Sequence, residues 1–116
     1  MKQIAVGKEF MEFVQEALAP IGQIRIRRMF GGAGVYADDV FFAILDDGQL
    51  YLKADIETQP LFEAEGLAQF TFTKKDGTVE KMRYFAAPEE VFEDEDILRE
   101  WTSLALDAAL RAKKRK

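Results

Sequence analysis

A chain of 116 residues has room for one domain with a single core, burying roughly two-thirds of the surface that its unfolded form exposes. Its 16 basic and 21 acidic residues give a formal net charge of -5, a field that repels nucleic acid and anionic membrane, so contact with either would have to be local. Cysteine and histidine are both absent, which removes disulfides, thiol catalysis, the Ser-His triad, the common zinc ligands and the usual general base near neutral pH.

Residues 1–20 carry Glu9, Glu12 and Glu16 and no long apolar run, so they read as neither a signal peptide nor a membrane span. The expectation is a single domain over residues 1–116, cytoplasmic and without membrane contact. Phe10, Phe13, Val14, Ala17 and Leu18 recur at helical spacing and predict an amphipathic helix over 8–19, stopped by Pro20 and Gly22. From residue 23 the period changes to two. Segments 24–30, 33–36, 40–45 and 49–53 predict an antiparallel meander, with turns at Asp38-Asp39 and Asp46-Asp47-Gly48. Strict alternation places Phe41, Ala43 and Leu45 on one face of the third strand and Phe42 and Ile44 on the other. That strand therefore reads as central and covered on more than one side, with one face available to a partner.

A second helix is expected over 59–65, with Thr58 as N-cap, Pro60 in the first turn, and Gly66 ending it so that Leu67 folds back on Phe62. Strands over 69–73 and 78–85 follow, joined by Lys74-Lys75-Asp76-Gly77, where Asp-Gly is a strong hairpin signal. Glu89 to Asp96 holds six carboxylates in eight residues. Its pattern lacks the ligand spacing of a calcium loop, and Asp94, Glu95 and Asp96 read instead as the cap and first turn of a last helix over 95–112. Ile97, Trp101, Leu104, Ala105 and Ala108 form the main apolar stripe of that helix, widened by Leu98, Leu106 and Leu110. Most of so wide a face is core, and any part left over from packing would serve a homodimer. The basic run from Arg111 to Lys116 reads as favourable charge at a helix end, with contact to nucleic acid or an acidic partner as the alternative.

The fold class is thus α+β, a two-layer domain with an antiparallel meander plus hairpin packed against helices, in the order α-β-β-β-β-α-β-β-α. Gly31-Gly32-Ala33-Gly34 matches neither dinucleotide nor Walker phosphate loops, because strands rather than a helix follow. Phe30, Gly31, Gly32, Gly34 and Tyr36 are read as a structural motif, in which small residues permit a bend or bulge and close helix approach. Alternation turns Arg25 and Arg27 outward, opposite Ile24 and Ile26. Arg28 falls on the apolar side, where burial would demand a carboxylate partner. Two readings of Arg25, Arg27 and Arg28 stand: surface ion pairing with the acidic segments, or a partner-binding patch. Neither catalytic residues nor a cofactor or metal site emerge from the residues. The enzymatic or small-molecule alternative would rest on Tyr36, Tyr51, Lys53 and Tyr84 converging in a desolvated pocket.

The ordered set Arg27-Arg28-Met29-Phe30-Gly31-Gly32-Ala33-Gly34-Val35-Tyr36, Asp47-Gly48-Gln49-Leu50-Tyr51-Leu52-Lys53, the Phe62 to Gly66 helix end, Met82-x-Tyr84, Pro88-Glu89-Glu90 and Trp101 resembles the N-terminal domain of the TfoX/Sxy competence regulators. That resemblance implies helices packed on an antiparallel sheet, and a regulatory rather than enzymatic role. It also implies a link to DNA-uptake genes through a protein partner, the transcription machinery or the cyclic-AMP receptor protein. It further implies a stand-alone form, ending where the second, helical domain of the two-domain regulators would begin. Direct DNA binding is not expected, since the chain is acidic and shows no helix-turn-helix with a basic recognition helix.

Overall fold

The computed structural model describes residues 7–29 and 31–114; Phe30, residues 1–6, and Arg115 and Lys116 of the basic tail lie outside them. Its elements follow the expected order: α1 (Lys8–Ala17), β1 (Ile24–Met29), β2 (Gly32–Ala37), β3 (Val40–Asp46), β4 (Gln49–Lys53), α2 (Gln59–Ala64), β5 (Gln69–Thr73), β6 (Val79–Ala86) and α3 (Glu95–Lys114). Short 3-10 turns at Ala19–Ile21 and Glu89–Phe92 take up the chain where Pro20 and Pro88 interrupt it. The six strands form one antiparallel sheet in the order β1-β2-β3-β4-β6-β5, so β6 inserts between β4 and its own hairpin partner.

Local chemistry sets the turns. Asp38 and Asp39 both take positive φ, 48° and 67°, which gives the two-residue turn whose twist suits a hairpin. Asp38 also accepts a hydrogen bond from the Gln23 amide through Oδ1 (3.0 Å), tying the turn to the start of β1. Gly66, at φ 71°, ends α2: its amide donates to the Glu63 carbonyl and the Leu67 amide donates to that of Phe62, satisfying two orphan acceptors. Asp94 Oδ1 accepts from the amides of Asp96 and Ile97, which caps α3 as its sequence predicts.

The cap of α2 is different. Thr58 is already in helical conformation, and the turn begins at Asp55, whose Oδ1 accepts from the amides of Glu57 and Thr58 while Thr58 Oγ1 accepts from the Asp55 amide. Asp55 is also gripped by Arg111 of α3, with Nε to Oδ2 at 2.7 Å and Nη2 to Oδ1 at 3.0 Å. These bonds hold the Asp55 carboxyl at about 2, well below the ordinary 3.8, with the Arg111 hydrogen bond as the largest cause. Arg111 is thereby a clamp between α3 and the β4–α2 junction, while the rest of the basic run continues past it.

All three helices lie against one face of the sheet. Val14 and Leu18 of α1, Phe62 of α2 and Leu98, Ala105 and Ala109 of α3 share a core with Val35, Phe42, Ala43, Leu45, Leu52 and Phe85. Phe62 stacks on Phe85 (centroids 5.4 Å) and meets Trp101 at 5.1 Å, which seats the short α2 between β6 and α3. Among the described residues no helix is long and apolar enough to cross a membrane.

The strand faces of β3 correct the simple alternation. Val35 pairs with Ala43 but Tyr36 pairs with Phe41, so Phe42 is an extra residue at a β-bulge. The bulge lets Phe42 and Ala43, adjacent in sequence, both be fully buried in the helix-side core with Leu45. It sends Phe41 to the opposite face, where Ile44 also lies. Phe41 therefore does not share a face with Ala43 and Leu45.

Candidate docking face

Register and alternation define what the other, open face presents. Arg25 pairs with Tyr36, Tyr36 with Phe41, Ile44 with Tyr51 and Lys53 with Tyr84, so these side chains share the face opposite the helices. Their contacts form one row across the sheet. The Arg25 guanidinium lies 4.4 Å from the Tyr36 ring centre, Tyr36 stacks on Phe41 at 5.0 Å, and Phe41 meets Tyr84 at 6.3 Å. Lys53 Nζ closes the row, 5.2 Å from the Tyr84 ring. Tyr51 stands beside it on the same face and makes an edge contact with Phe70 at 5.0 Å.

The glycine motif shapes this face. Gly31 turns the chain at φ 81°. A Cβ on Gly34 would lie 2.7 Å from Met29 Cε and 2.9 Å from Phe41 Cε1, so its absence is what lets Met29 and the Phe41 ring settle over β2. A Cβ on Gly32 would strike the Leu45 carbonyl oxygen of β3. Both glycines thus serve strand packing and the open face. The small residues turned to the helices are Ala33 and Ala37, both buried.

The three arginines do not form one patch. Arg25 and Arg27, opposite Tyr36 and Gly34, belong to the open face; Arg28, opposite Ala33, points to the helix side and is exposed there. Exposure removes the need for a buried partner that its register suggested. Arg25 is ion-paired with Asp39 at 3.2 Å while lying over Tyr36. With both groups half or more exposed, that pair contributes little to stability and mainly orients the guanidinium.

Tyr36, Lys53 and Tyr84 are brought together through Phe41, and Tyr51 lies one row away. Burial, and then the neighbouring Tyr36, pushes the Tyr84 phenol up to about 12, and burial with the Asp46 and Asp47 carboxylates raises Tyr51. A phenol so held stays protonated at neutral pH, as a ring surface and hydrogen-bond donor rather than a base. A shallow cleft of about 290 Å³ opens at the end of the row, lined by Asp39, Phe41 and Lys53 and by Ala109, Ala112 and Lys113 of α3. That volume is at the lower limit of ordinary small-molecule sites. No group of three metal-capable side chains occurs among the described residues.

Sequence reasoning missed Phe41 as the centre of the row, because the bulge that re-aims it leaves no signal in the alternation. Tyr84 was recognisable as one of several aromatic or basic residues, but its place beside Phe41 depends on β6 inserting next to β4.

Comparison with known proteins supports the same assignment as the residues. Residues 16–109 match the TfoX N-terminal domain family. The DNA transformation protein TfoX1 of Aliivibrio fischeri is 33% identical over 82 residues, 71% of this chain and 37% of that protein. Protein Sxy of Escherichia coli is 32% identical over 99 residues, 85% of this chain and 47% of that protein. The chain spans less than half the length of either relative. Every residue from Arg27 to Trp101 that carries the resemblance lies within the matched segment, and the chain belongs to the TfoX N-terminal domain family.

Proposed function

We propose that this domain is a non-enzymatic regulatory module that docks a protein of the transcription machinery on the open face of its sheet. The observation that carries the reading is the row Arg25–Tyr36–Phe41–Tyr84–Lys53 on the sheet face opposite the helical core, in which Tyr36, Phe41 and Lys53 are partly exposed, Tyr84 is buried between Phe41 and Lys53, and the end of α3 approaches the Phe41–Lys53 end. A sheet face left to water ordinarily carries polar side chains in alternation with the core. Here it carries stacked aromatics bracketed by cations, the residue types that dominate protein–protein hot spots. The raised Tyr84 and Tyr51 phenols support binding in preference to acid–base work.

The similarity to a DNA transformation protein supports a role in regulating DNA uptake. Such a role would be exercised in the cytoplasm. The family resemblance nominates the cyclic-AMP receptor protein and RNA polymerase as the proteins to test. Calorimetric titration of each into the purified chain is expected to give binding by at least one, lost in Phe41→Lys and weakened in Arg27→Glu, with Arg28→Glu unchanged. Absence of binding to both proteins, or full retention in Phe41→Lys, would count against this reading.

A further inference from the structure

The two outer edges of the sheet are built differently. β1 carries Arg25, Arg27 and Arg28, and repeated like charge on an edge discourages addition of another strand. β5 has no such charge: Gln69, Phe70, Thr71, Phe72 and Thr73 include no charge and no proline, aromatic residues alternate with threonines, and the one irregularity is a shift in its pairing with β6 between Gln69 and Thr71. It pairs with β6, Phe70 at its start touches Tyr51 of β4, and the hairpin beyond is exposed throughout residues 71–83. Phe72, Val79 and Met82 on this hairpin are 41%, 64% and 37% exposed. The Lys74 amide donates to the Thr78 carbonyl at 2.8 Å. Antiparallel alternation then turns the backbone amides of Thr73 and Thr71 away from β6, toward the unpaired edge.

We infer that β5 is a pairing edge for a second copy of this chain. The two β5 strands meet antiparallel about a two-fold axis at Thr71, joining two six-stranded sheets into one continuous sheet. The strand is self-complementary in this register. Thr71 faces Thr71 of the second copy, Gln69 faces Thr73, and Phe70 faces Phe72. Phe70 lies on the open face against Tyr51, and Phe72 follows two residues on, so aromatic meets aromatic on that face and polar meets polar on the other. Continuing the register sets Lys74 and Lys75 against Ala68 and Leu67 of the second copy. These residues follow the end of α2, where Glu63 and Glu65 lie. Lys74 has an exposed pairing with Glu80 of its own hairpin at 3.4 Å, which leaves the turn's other cation, Lys75, to meet those carboxylates. No like charges oppose one another across the axis. This inference concerns the sheet edge and is independent of what docks on the open face.

The chain has no cysteine, so single-cysteine variants report the contact cleanly. In a hydrogen-bonded antiparallel pair the two Thr71 Cα atoms would stand about 5.5 Å apart, within disulfide range. The two Thr73 Cα atoms would be offset by four residues, about 14 Å, and beyond it. Thr71→Cys is therefore expected to yield a disulfide-linked dimer under mild oxidation and Thr73→Cys is not. Equal cross-linking of the two variants would overturn the proposal. Sedimentation equilibrium of the unmodified chain is expected to show a dimer with a dissociation constant on the order of 10 µM, the weak class suited to a five-residue edge. Thr71→Pro removes an outward amide that β6 does not use, and is expected to raise that constant at least tenfold without moving the thermal midpoint. A chain still monomeric at about 500 µM, or a dimer that survives Thr71→Pro unchanged, refutes the pairing.

Discussion

Replacing Gly32 by alanine tests how the glycine motif works, because the two buried glycines of β2 fail for different reasons. At Gly32 the added Cβ meets the Leu45 carbonyl oxygen, a backbone atom held in the β2–β3 pairing. At Gly34 it meets Met29 Cε at 2.7 Å, the end of a flexible side chain, and the Phe41 ring edge at 2.9 Å. Overpacking against a fixed neighbour costs about 1–3 kcal/mol, offset by about 0.5–1 kcal/mol because alanine loses less backbone entropy in a strand than glycine. Gly32→Ala should therefore lose about 1–2 kcal/mol net, a fall of about 4–10 °C in melting temperature for a domain of this size. Gly34→Ala should cost less, about 0–1 kcal/mol, since Met29 can move and the entropy gain remains, while the Phe41 ring held between Tyr36 and Tyr84 must shift. Thermal unfolding followed by circular dichroism gives both numbers side by side. A Gly32→Ala protein as stable as the parent, or a Gly34→Ala protein less stable than Gly32→Ala, would refute the contact geometry assigned to the motif.

Other expectations follow from the clamp, the core and the phenols. The Asp55 carboxyl is held below its ordinary 3.8, so its contribution is present above about pH 4 and is lost as pH falls toward about 2. The stability gap between the parent and Arg111→Met, read from urea midpoints, should accordingly shrink from pH 5 to pH 2; a constant gap would mean that the pair is not coupled to folding. Phe62→Ala should cost about 3–5 kcal/mol and change the emission of Trp101, the single tryptophan, which it touches. Unaltered emission in the folded variant would place Phe62 elsewhere. Absorbance titration at alkaline pH should show one of the three tyrosines ionising near 12, and Tyr84→Phe should remove that step.

Much of the fold was legible in the sequence because its signals are local. Asp38-Asp39, Asp47-Gly48 and Gly66 take the positive φ that their turns and cap require, and Asp94 bonds amides two and three residues on, although the Asp38 carboxylate reaches the Gln23 amide rather than a local one. What escaped depends on distant partners. Arg111 read as the start of a basic tail, yet it grips a carboxylate 56 residues away. Thr58 does hold the N-cap position of α2, but its side chain makes no cap bond to the helix, and the Asp55 carboxylate, fixed by the same clamp, takes the amides of Glu57 and Thr58. The bulge at Phe42 defeated the face assignment of β3, since period-two reasoning has no way to register an extra residue. Of the arginine strand, the outward turn of Arg25 and Arg27 was readable, whereas the aromatic row that gives Arg25 its setting was not.

The central claim is that the open face, and not the helical one, meets the partner. A photo-cross-linking amino acid at Phe41 on the open face, compared with one at Glu12 on the exposed side of α1, tests it directly in living cells. Cross-linking to the cyclic-AMP receptor protein or RNA polymerase from position 41 and not from position 12 is the predicted result. Cross-linking from position 12 with none from position 41 would contradict it.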